Sequence, residues 1–415
     1  MKIPNYVLAI ENTGKKGGQI LYNTINGSKV LITPKQEMLI KQKRNSEKLK
    51  GLWEKGYIVR DDYDEKEYVY KGLSNISKTY NLTVLPTYEC NMKCEYCFES
   101  HVAKESMEKK HIGCLIDRII QKIEYDKKTK IRIAFTGGEP LIRFNFIKLF
   151  FEQFQKKVLG KYNIDYEITV ITNGSLLNRR IINFLKQNNC VGIQVTLDGV
   201  KEKHDRLRRL KNGDNSYELI IDNINAFMTE IPFVIRSNYK VGEEKELYSF
   251  IDELAEKIND RKLIKLKLRS IMDTLENRQY TKQSKNIDNL GKVIEYAFKK
   301  GIEVLQGSIC DMCRIYSSSN EYIVPNGYIY RCLMLVGYEQ FAIGNIFEKV
   351  RNGQEEFFNN LNIWKSCLDC PIVSLCAGGC RYEAYVKTGD ITKKLCKYKE
   401  IKELTTKFIK AKYIL

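Results

Sequence analysis

Between residues 80 and 271 one rhythm recurs: a short strand-like run rich in β-branched residues, then a stretch of helical periodicity. The runs are "YNLTVLP", "IRIAFTG", "YEITVITNG", "VGIQVTLDG", "FVIRSNY" and "LIKLKLRSI". Segments between them, such as "MEKKHIGCLIDRIIQKIEYD" and "RFNFIKLFFEQFQKKVL", space their apolar residues three and four apart. A helical crossover returns the chain to the same end of a sheet, so strands joined this way run parallel. The expected fold is α/β, with a curved, partial (β/α)6 TIM-like barrel over residues 79–305. In such folds the chemistry collects at the C-terminal ends of the strands. Four strands here are followed or closed there by polar or glycine-rich stretches: Cys90–Cys97, Gly137-Gly138-Glu139, Thr172-Asn173-Gly174 and Thr196–Asp198.

Two different regions flank the barrel. In residues 1–78, "QILYNTINGSKVLI" reads as a hairpin turning at Asn26-Gly27. Thr33-Pro34-Lys35-Gln36 reads as a helix start, with Thr33 as N-cap and Gln36 completing a capping box. A second helical stretch, "SEKLKGLWEKG", stops at Gly56, and "YIVRDD" looks like a returning strand. Together they suggest a small winged-helix-like module. Residues 306–415 form a cysteine-rich tail containing a hairpin, "EYIVPNGYIYRC".

The formal charge of +18 would suit acidic partners, but Lys and Arg are dispersed along the chain. Nucleic acid is therefore not the expected partner. No apolar run reaches the roughly 18–20 residues that cross a bilayer, and "MKIPNYVLAIENTGKKGG" lacks the features of a signal peptide. The expectation is a cytoplasmic protein with no membrane partner.

Thirteen cysteines sharpen the reading. In a reducing compartment, clustered cysteines are metal ligands more readily than disulfides. Cys114 and Cys190 stand apart and read as buried small hydrophobes. Cys90, Cys94 and Cys97 form a C-x3-C-x2-C loop whose three thiolates can hold three irons of a [4Fe–4S] cube and leave the fourth open.

Directly after the first of six β/α strands, that loop resembles the cluster-binding loop of the radical S-adenosylmethionine (SAM) enzymes. The resemblance covers most of residues 80–396. It implies that SAM chelates the open iron and that one electron into its sulfonium releases methionine and a 5′-deoxyadenosyl radical. "FTGGEP" resembles the family's Gly-Gly-Glu-Pro segment, which implies that Gly137, Gly138 and Glu139 hold the methionine amino group. The same residues also describe a tight βα turn with an N-capping acid. "ITNGSLL" resembles the segment near the ribose and nominates Asn173. "VTLDGVKEKHDRLRRLKNG" resembles the stretch in which Thr196 stands for the usual Ser and Arg208 meets the SAM carboxylate, with Arg209 as its possible substitute. Tyr96 resembles the aromatic whose backbone lies near the adenine. His204 fits a structural role as well as a catalytic one and is assigned neither.

The tail reads Cys313-x13-Gly327-x4-Cys332, Cys367-x2-Cys370-x5-Cys376-x3-Cys380 and then Cys396. This spacing resembles the SPASM domain of radical SAM peptide-modifying enzymes. The likeness implies two auxiliary [4Fe–4S] clusters, three in all. Cys310, Cys313, Cys332 and Cys380 would hold one, and Cys367, Cys370, Cys376 and Cys396 the other. Structural zinc is the competing occupant, since Cys-x2-Cys pairs suit it.

The implied function is that of an oxidoreductase that modifies or crosslinks a ribosomally made precursor peptide (RiPP), through a thioether or carbon–carbon bond. Flavodoxin or ferredoxin would supply electrons. The module at 1–78 would bind the peptide's leader, as a strand edge beside a helix can, with Lys35, Lys41, Lys43 and Arg44 suiting an acidic one. Alternatively, it only caps the barrel. An anaerobic sulfatase-maturing activity is a further reading, but there an Asp follows the hairpin cysteine as base. Here Leu333 follows Cys332, and neither Arg331 nor Met334 is a carboxylate. No catalytic base is assigned. From another class, the alternative is a zinc-stabilised basic winged-helix protein that binds nucleic acid.

Overall fold

Residues 1–12, 17–74, 77–279, 286–305, 313–348 and 353–414 are described by a computed structural model of the chain. Strands β1 (Val7–Glu11), β2 (Gln19–Asn23) and β3 (Lys29–Ile32) make an antiparallel sheet in that order. β2 and β3 are the expected hairpin, and Gly27 supplies the positive φ (+71°) of its turn. Helix α1 (Pro34–Lys41) begins with the expected capping box: Gln36 N–H donates to the Thr33 hydroxyl, and Thr33 N–H donates to the Gln36 side chain. Helix α2 (Lys50–Glu54) follows.

The strand expected at "YIVRDD" does not form. Val59 makes a single bridge to Lys2. Asp64 then accepts from the Glu67 N–H at 2.9 Å and starts a further helix beyond the two expected, α3 (Glu65–Ser74). Capping chemistry in the acidic turn overrides the apolar run before it.

The barrel runs through β4 (Thr79–Val84), β5 (Met92–Cys94), α4 (Lys109–Glu124), β6 (Lys130–Phe135), α5 (Phe144–Phe154), β7 (Asp165–Thr172), α6 (Arg179–Gln187) and β8 (Cys190–Thr196). It continues through α7 (Lys201–Leu207), β9 (Arg208–Leu210), α8 (Tyr217–Phe227), β10 (Phe233–Tyr239), α9 (Leu247–Lys257), β11 (Ile264–Ser270), α10 (Ile287–Lys299) and β12 (Glu303–Val304). β4, β6, β7, β8, β10 and β11 are the six expected strands, parallel neighbours in that order, with β12 added at the β11 edge. Alternate residues such as Leu82, Ile133, Val170, Ile193, Ile235 and Leu266 are buried. They face the helices, and the intervening residues face the barrel interior.

The tail contributes β13 (Asn320–Ile323), β14 (Tyr328–Tyr330), β15 (Gly344–Asn345), α11 (Gly353–Asn360), α12 (Val373–Cys376), α13 (Arg381–Thr388) and α14 (Tyr398–Tyr413). β13 and β14 are the expected hairpin. β13 also pairs in parallel with β4, so the tail extends the barrel sheet rather than standing apart from it. The N-terminal module docks on this tail as well. Tyr6, Val7, Leu21 and Ile32 share a core with Trp364, Val373 and Ala377. Thr24 donates to Pro371 O (2.8 Å), and Ser374 donates to Thr24 O (2.6 Å). Among the described residues no helix is long and apolar enough to cross a membrane.

Candidate functional site

Cys90, Cys94 and Cys97 flank and end the short strand β5 that follows β4, close enough that their thiols influence one another. Burial pushes all three up, Cys94 to about 11, while Arg208 pulls Cys90 and Cys94 back. The reason Arg208 is there is a two-residue alternation. β5 pairs antiparallel with β9, with Cys94 opposite Arg208 and Lys93 opposite Arg209. Arg208 is buried and Arg209 exposed, so only the first faces the thiols.

A buried network holds that guanidinium. Arg208 donates to the Tyr96 hydroxyl (2.9 Å) and lies 3.5 Å from Asp198 Oδ2. The Tyr96 hydroxyl donates to Asp198 Oδ2, and Asn238 gives Asp198 Oδ1 both its N–H (2.7 Å) and its side-chain amide (3.1 Å). The Tyr96 side chain thus points into the ionic network at β8 and β10. His204 closes the loop behind it. Its Nδ1 accepts from Asp198 N–H (3.1 Å), its Nε2 donates to Ser216 Oγ (3.0 Å), and Ser216 donates to Arg208 O (3.0 Å). Burial holds His204 well below its ordinary pKa, so it is neutral and positions this loop.

In the sequence Asp198 marks only a strand end, and the "TLDG" stretch is the signal that singles it out. An unpaired buried charge costs about 3–5 kcal/mol. Asp198→Ala is expected to lose stability on that scale in chemical unfolding, whereas exposed Arg209→Ala should change it by less than about 0.5 kcal/mol.

The Gly-Gly-Glu turn braces the cysteine loop. Gly138 N–H donates to Thr87 O (3.0 Å) and Glu139 N–H to Glu89 O (2.8 Å), one residue before Cys90. A Cβ on Gly138 would overlap the Glu89 carbonyl, and one on Gly137 (φ +113°) would come within 2.5 Å of Thr87 O. Glu139 is fully buried and accepts from Leu141 N–H (3.0 Å), the Thr172 hydroxyl (2.8 Å) and Asn173 N–H (2.7 Å). These groups are committed within the chain, leaving the Glu139 carboxylate about one further acceptor position. Asn173 donates to Asn91 Oδ1 (2.7 Å) and lies 3.9 Å from Cys90 Sγ. Thr196 is buried at the end of β8.

Two buried polar atoms beside the thiols have no hydrogen-bond partner, Arg208 Nε and Glu99 Oε1. Burial pushes Glu99 up to about 7, and it in turn raises Cys97. Three thiols with an adjacent buried guanidinium and spare polar atoms fit an iron–sulfur cluster that carries an anionic ligand.

In the tail, Cys313, Cys332 and Cys380 lie together, the other two each raising Cys332 further above the level set by its burial. Cys310 lies outside the described residues. Cys367, Cys370, Cys376 and Cys396 line a cavity of about 410 Å³. No three His, Cys, Asp or Glu side chains among the described residues converge to hold a single metal ion. Between the two groups sits Arg381, fully buried, which donates to the carbonyls of Gly378, Gly379, Ile391 and Lys393 and so fixes the turn that spaces them. Sequence reasoning missed it, because a lone arginine after a cysteine carries no pattern. Cys114 and Cys190 are partly rather than fully buried.

Residues 84–254 match the family model of the radical SAM superfamily. The chain is 27% identical over 341 residues to a cysteine-type anaerobic sulfatase-maturating enzyme of Clostridium novyi, covering 73% of this chain and 88% of the relative. It is 24% identical over 391 residues to the radical SAM cyclopropyl synthase TigE of Paramaledivibacter caminithermalis, covering 82% and 77%. In fold it resembles anSMEcpe solved with AdoMet and a Kp18Cys peptide (TM-score 0.63, 19% identity, 81% of this chain and 97% of that one). It also resembles Streptococcus suis SuiB bound to the precursor peptide SuiA (TM-score 0.56, 16% identity, 96% and 99%). A radical SAM domain implies a [4Fe–4S] cluster, SAM and an enzyme, in place of the non-enzymatic alternative for the barrel. Residues 84–254 of the chain are thus a radical SAM domain.

Proposed function

We propose that the protein is a radical SAM/SPASM maturase that oxidatively modifies or crosslinks a ribosomally made peptide. The observation that carries this reading is the coexistence of one three-thiol loop beside a buried arginine with two further thiol groups in the tail. When bound, the cluster and SAM supply a carbon-centred radical able to take hydrogen from an unactivated carbon. Around them, Cys90, Cys94 and Cys97 are the ligands. Arg208, oriented by Asp198, Tyr96 and Asn238, would receive the SAM carboxylate, while Glu139, Asn173 and Thr196 would line the pocket. Cys313, Cys332 and Cys380, with Cys310, and the four cysteines of the 410 Å³ cavity are the auxiliary ligands. The spread of those four around a cavity suits a cluster better than a zinc ion. A peptide substrate is supported by structural neighbours that were solved with peptides bound.

Anaerobically reconstituted protein should hold about twelve irons with matching sulfide, and should yield 5′-deoxyadenosine from SAM under dithionite. Stoichiometric zinc in the tail instead would overturn the auxiliary assignment. The likeness to anaerobic sulfatase-maturating enzymes favours a second reading, oxidation of a single cysteine or serine. Leu333 in place of the acidic base weighs against it. A sulfatase-derived cysteine peptide converted at a rate comparable to any precursor peptide would reverse the order.

The leader-binding role of residues 1–78 rests on β3, which pairs only with β2 among the described residues, and on Leu31, which is 47% exposed. Of the four cations near α1, Lys41 is paired with Glu37 and Lys43 with Asp61. Lys35 and Arg44 remain for an acidic leader. Reversing both to Glu is expected to raise KM for a leader-bearing peptide about tenfold, ~1.4 kcal/mol, in steady-state assays.

A further inference from the structure

The inner face of the barrel carries two arginines, Arg236 and Arg269, that no carboxylate among the described residues pairs with. Thr196 of β8 pairs with Arg236 of β10, and Asn238 of β10 pairs with Arg269 of β11. Alternation places all four on the side opposite Val195, Ile235 and Leu268, which are buried against the helices. Asn238 also bonds Asp198 and the Tyr96 hydroxyl, so Arg236 and Arg269 border the network that holds Arg208.

Arg208 and Arg236 both act on Asp198, and Arg269 acts on Arg236. Asp198 already takes two bonds from Asn238, one from Tyr96 and the ion pair to Arg208, which uses the roughly four positions a carboxylate offers. Arg236 spends its Nε on Asn238 Oδ1 (2.8 Å). Among the described residues no carboxylate comes within ion-pair distance of Arg236 or Arg269. Burial, then Arg269 and Arg208, push Arg236 down to about 10, with Asp198 opposing them. Such an arrangement is costly unless an anion arrives from outside. If the SAM carboxylate goes to Arg208, it leaves the other two arginines without one.

We propose that Arg236 and Arg269 form a carboxylate subsite that receives an Asp or Glu side chain of the substrate peptide, next to the position that reacts. The inference rests on the peptide-modifying reading and names the class of peptide. A planar guanidinium pair suits it, because a carboxylate can be gripped bidentately and its backbone thereby oriented.

The test uses reconstituted, immobilised holoenzyme with SAM and two random peptide libraries, one C-terminally amidated and one with a free terminal carboxylate. Asp and Glu should be enriched about tenfold at one position among the peptides retained from the amidated library. Arg269→Glu should replace that preference with Lys and Arg, and Arg269→Lys should keep it, both with iron content unchanged. If Arg269→Glu loses iron, Arg269→Gln takes its place and must cut the enrichment at least about fivefold. Retention without acidic preference, preference confined to the free-carboxylate library, or acidic preference that survives Arg269→Glu or Arg269→Gln overturns the subsite while the peptide reading stands. If no peptide of either library is retained, both fall together.

Discussion

Replacing Cys90, Cys94 and Cys97 together with Ala is expected to abolish reductive SAM cleavage while leaving roughly eight irons bound. The expectation follows from how separate the thiol groups are. These three sit before, at the end of and after β5, held by Thr87 and Glu89 against the Gly-Gly-Glu turn, and by the β5–β9 pairing against Arg208. None of the tail cysteines belongs to that segment. Iron and sulfide per chain, with 5′-deoxyadenosine measured by chromatography after dithionite reduction, decide the matter. Residual 5′-deoxyadenosine in the triple variant would show that these cysteines do not hold the SAM-binding cluster.

Deleting residues 1–76 is expected to do more than remove a peptide-binding module. Trp364 and Val373, both buried, lose the partners Tyr6, Val7, Leu21 and Ile32. Exposing side chains of this size costs about 1.5–3 kcal/mol each. The Thr24 bonds to Pro371 and Ser374 go as well, and they clamp the segment between Cys370 and Cys376. The truncated chain should therefore lose about four irons, those of the second tail group, and become prone to aggregation. Iron counting and sedimentation check this. A soluble truncated chain with the full complement would show that the docking is dispensable, and deletion would then be a clean test of leader binding. Because of this contact, surface substitutions at Lys35 and Arg44 probe the leader more selectively than truncation.

Much of the barrel was legible because its signal is local. Each of six strands is a short β-branched run and each crossover an apolar stripe at helical spacing, so period alone separates them. The capping box at Thr33 and the turn at Gly27 were legible for the same reason: the side chain that makes the bond sits within three residues of its partner. The "YIVRDD" strand failed because a strand needs a neighbour. Val59 has only Lys2 to pair with, while Asp64 could cap a helix without help from elsewhere.

The motif positions of the candidate site were read from spacing and resemblance, but their physical relations were not. Sequence alone favoured Arg208 by resemblance and kept Arg209 as its substitute. Pairing of β5 with β9 separates them, since successive residues of a strand face opposite sides. Spacing could not show that Glu139 would spend three acceptor positions inside the chain, that Arg381 would order the turn between the tail cysteines, or that Asn238, more than a hundred residues from Tyr96, would share its hydroxyl. The sequence by itself determined the alternation of strands and helices and the order of the thiols, because both are written in neighbouring residues. Only the tertiary structure decided that the tail hairpin would extend the barrel at β4, that the first module would cover the second tail cysteines, and that Arg236 and Arg269 would meet on one wall. Those outcomes depend on which distant surfaces bury each other, and no local pattern encodes that choice.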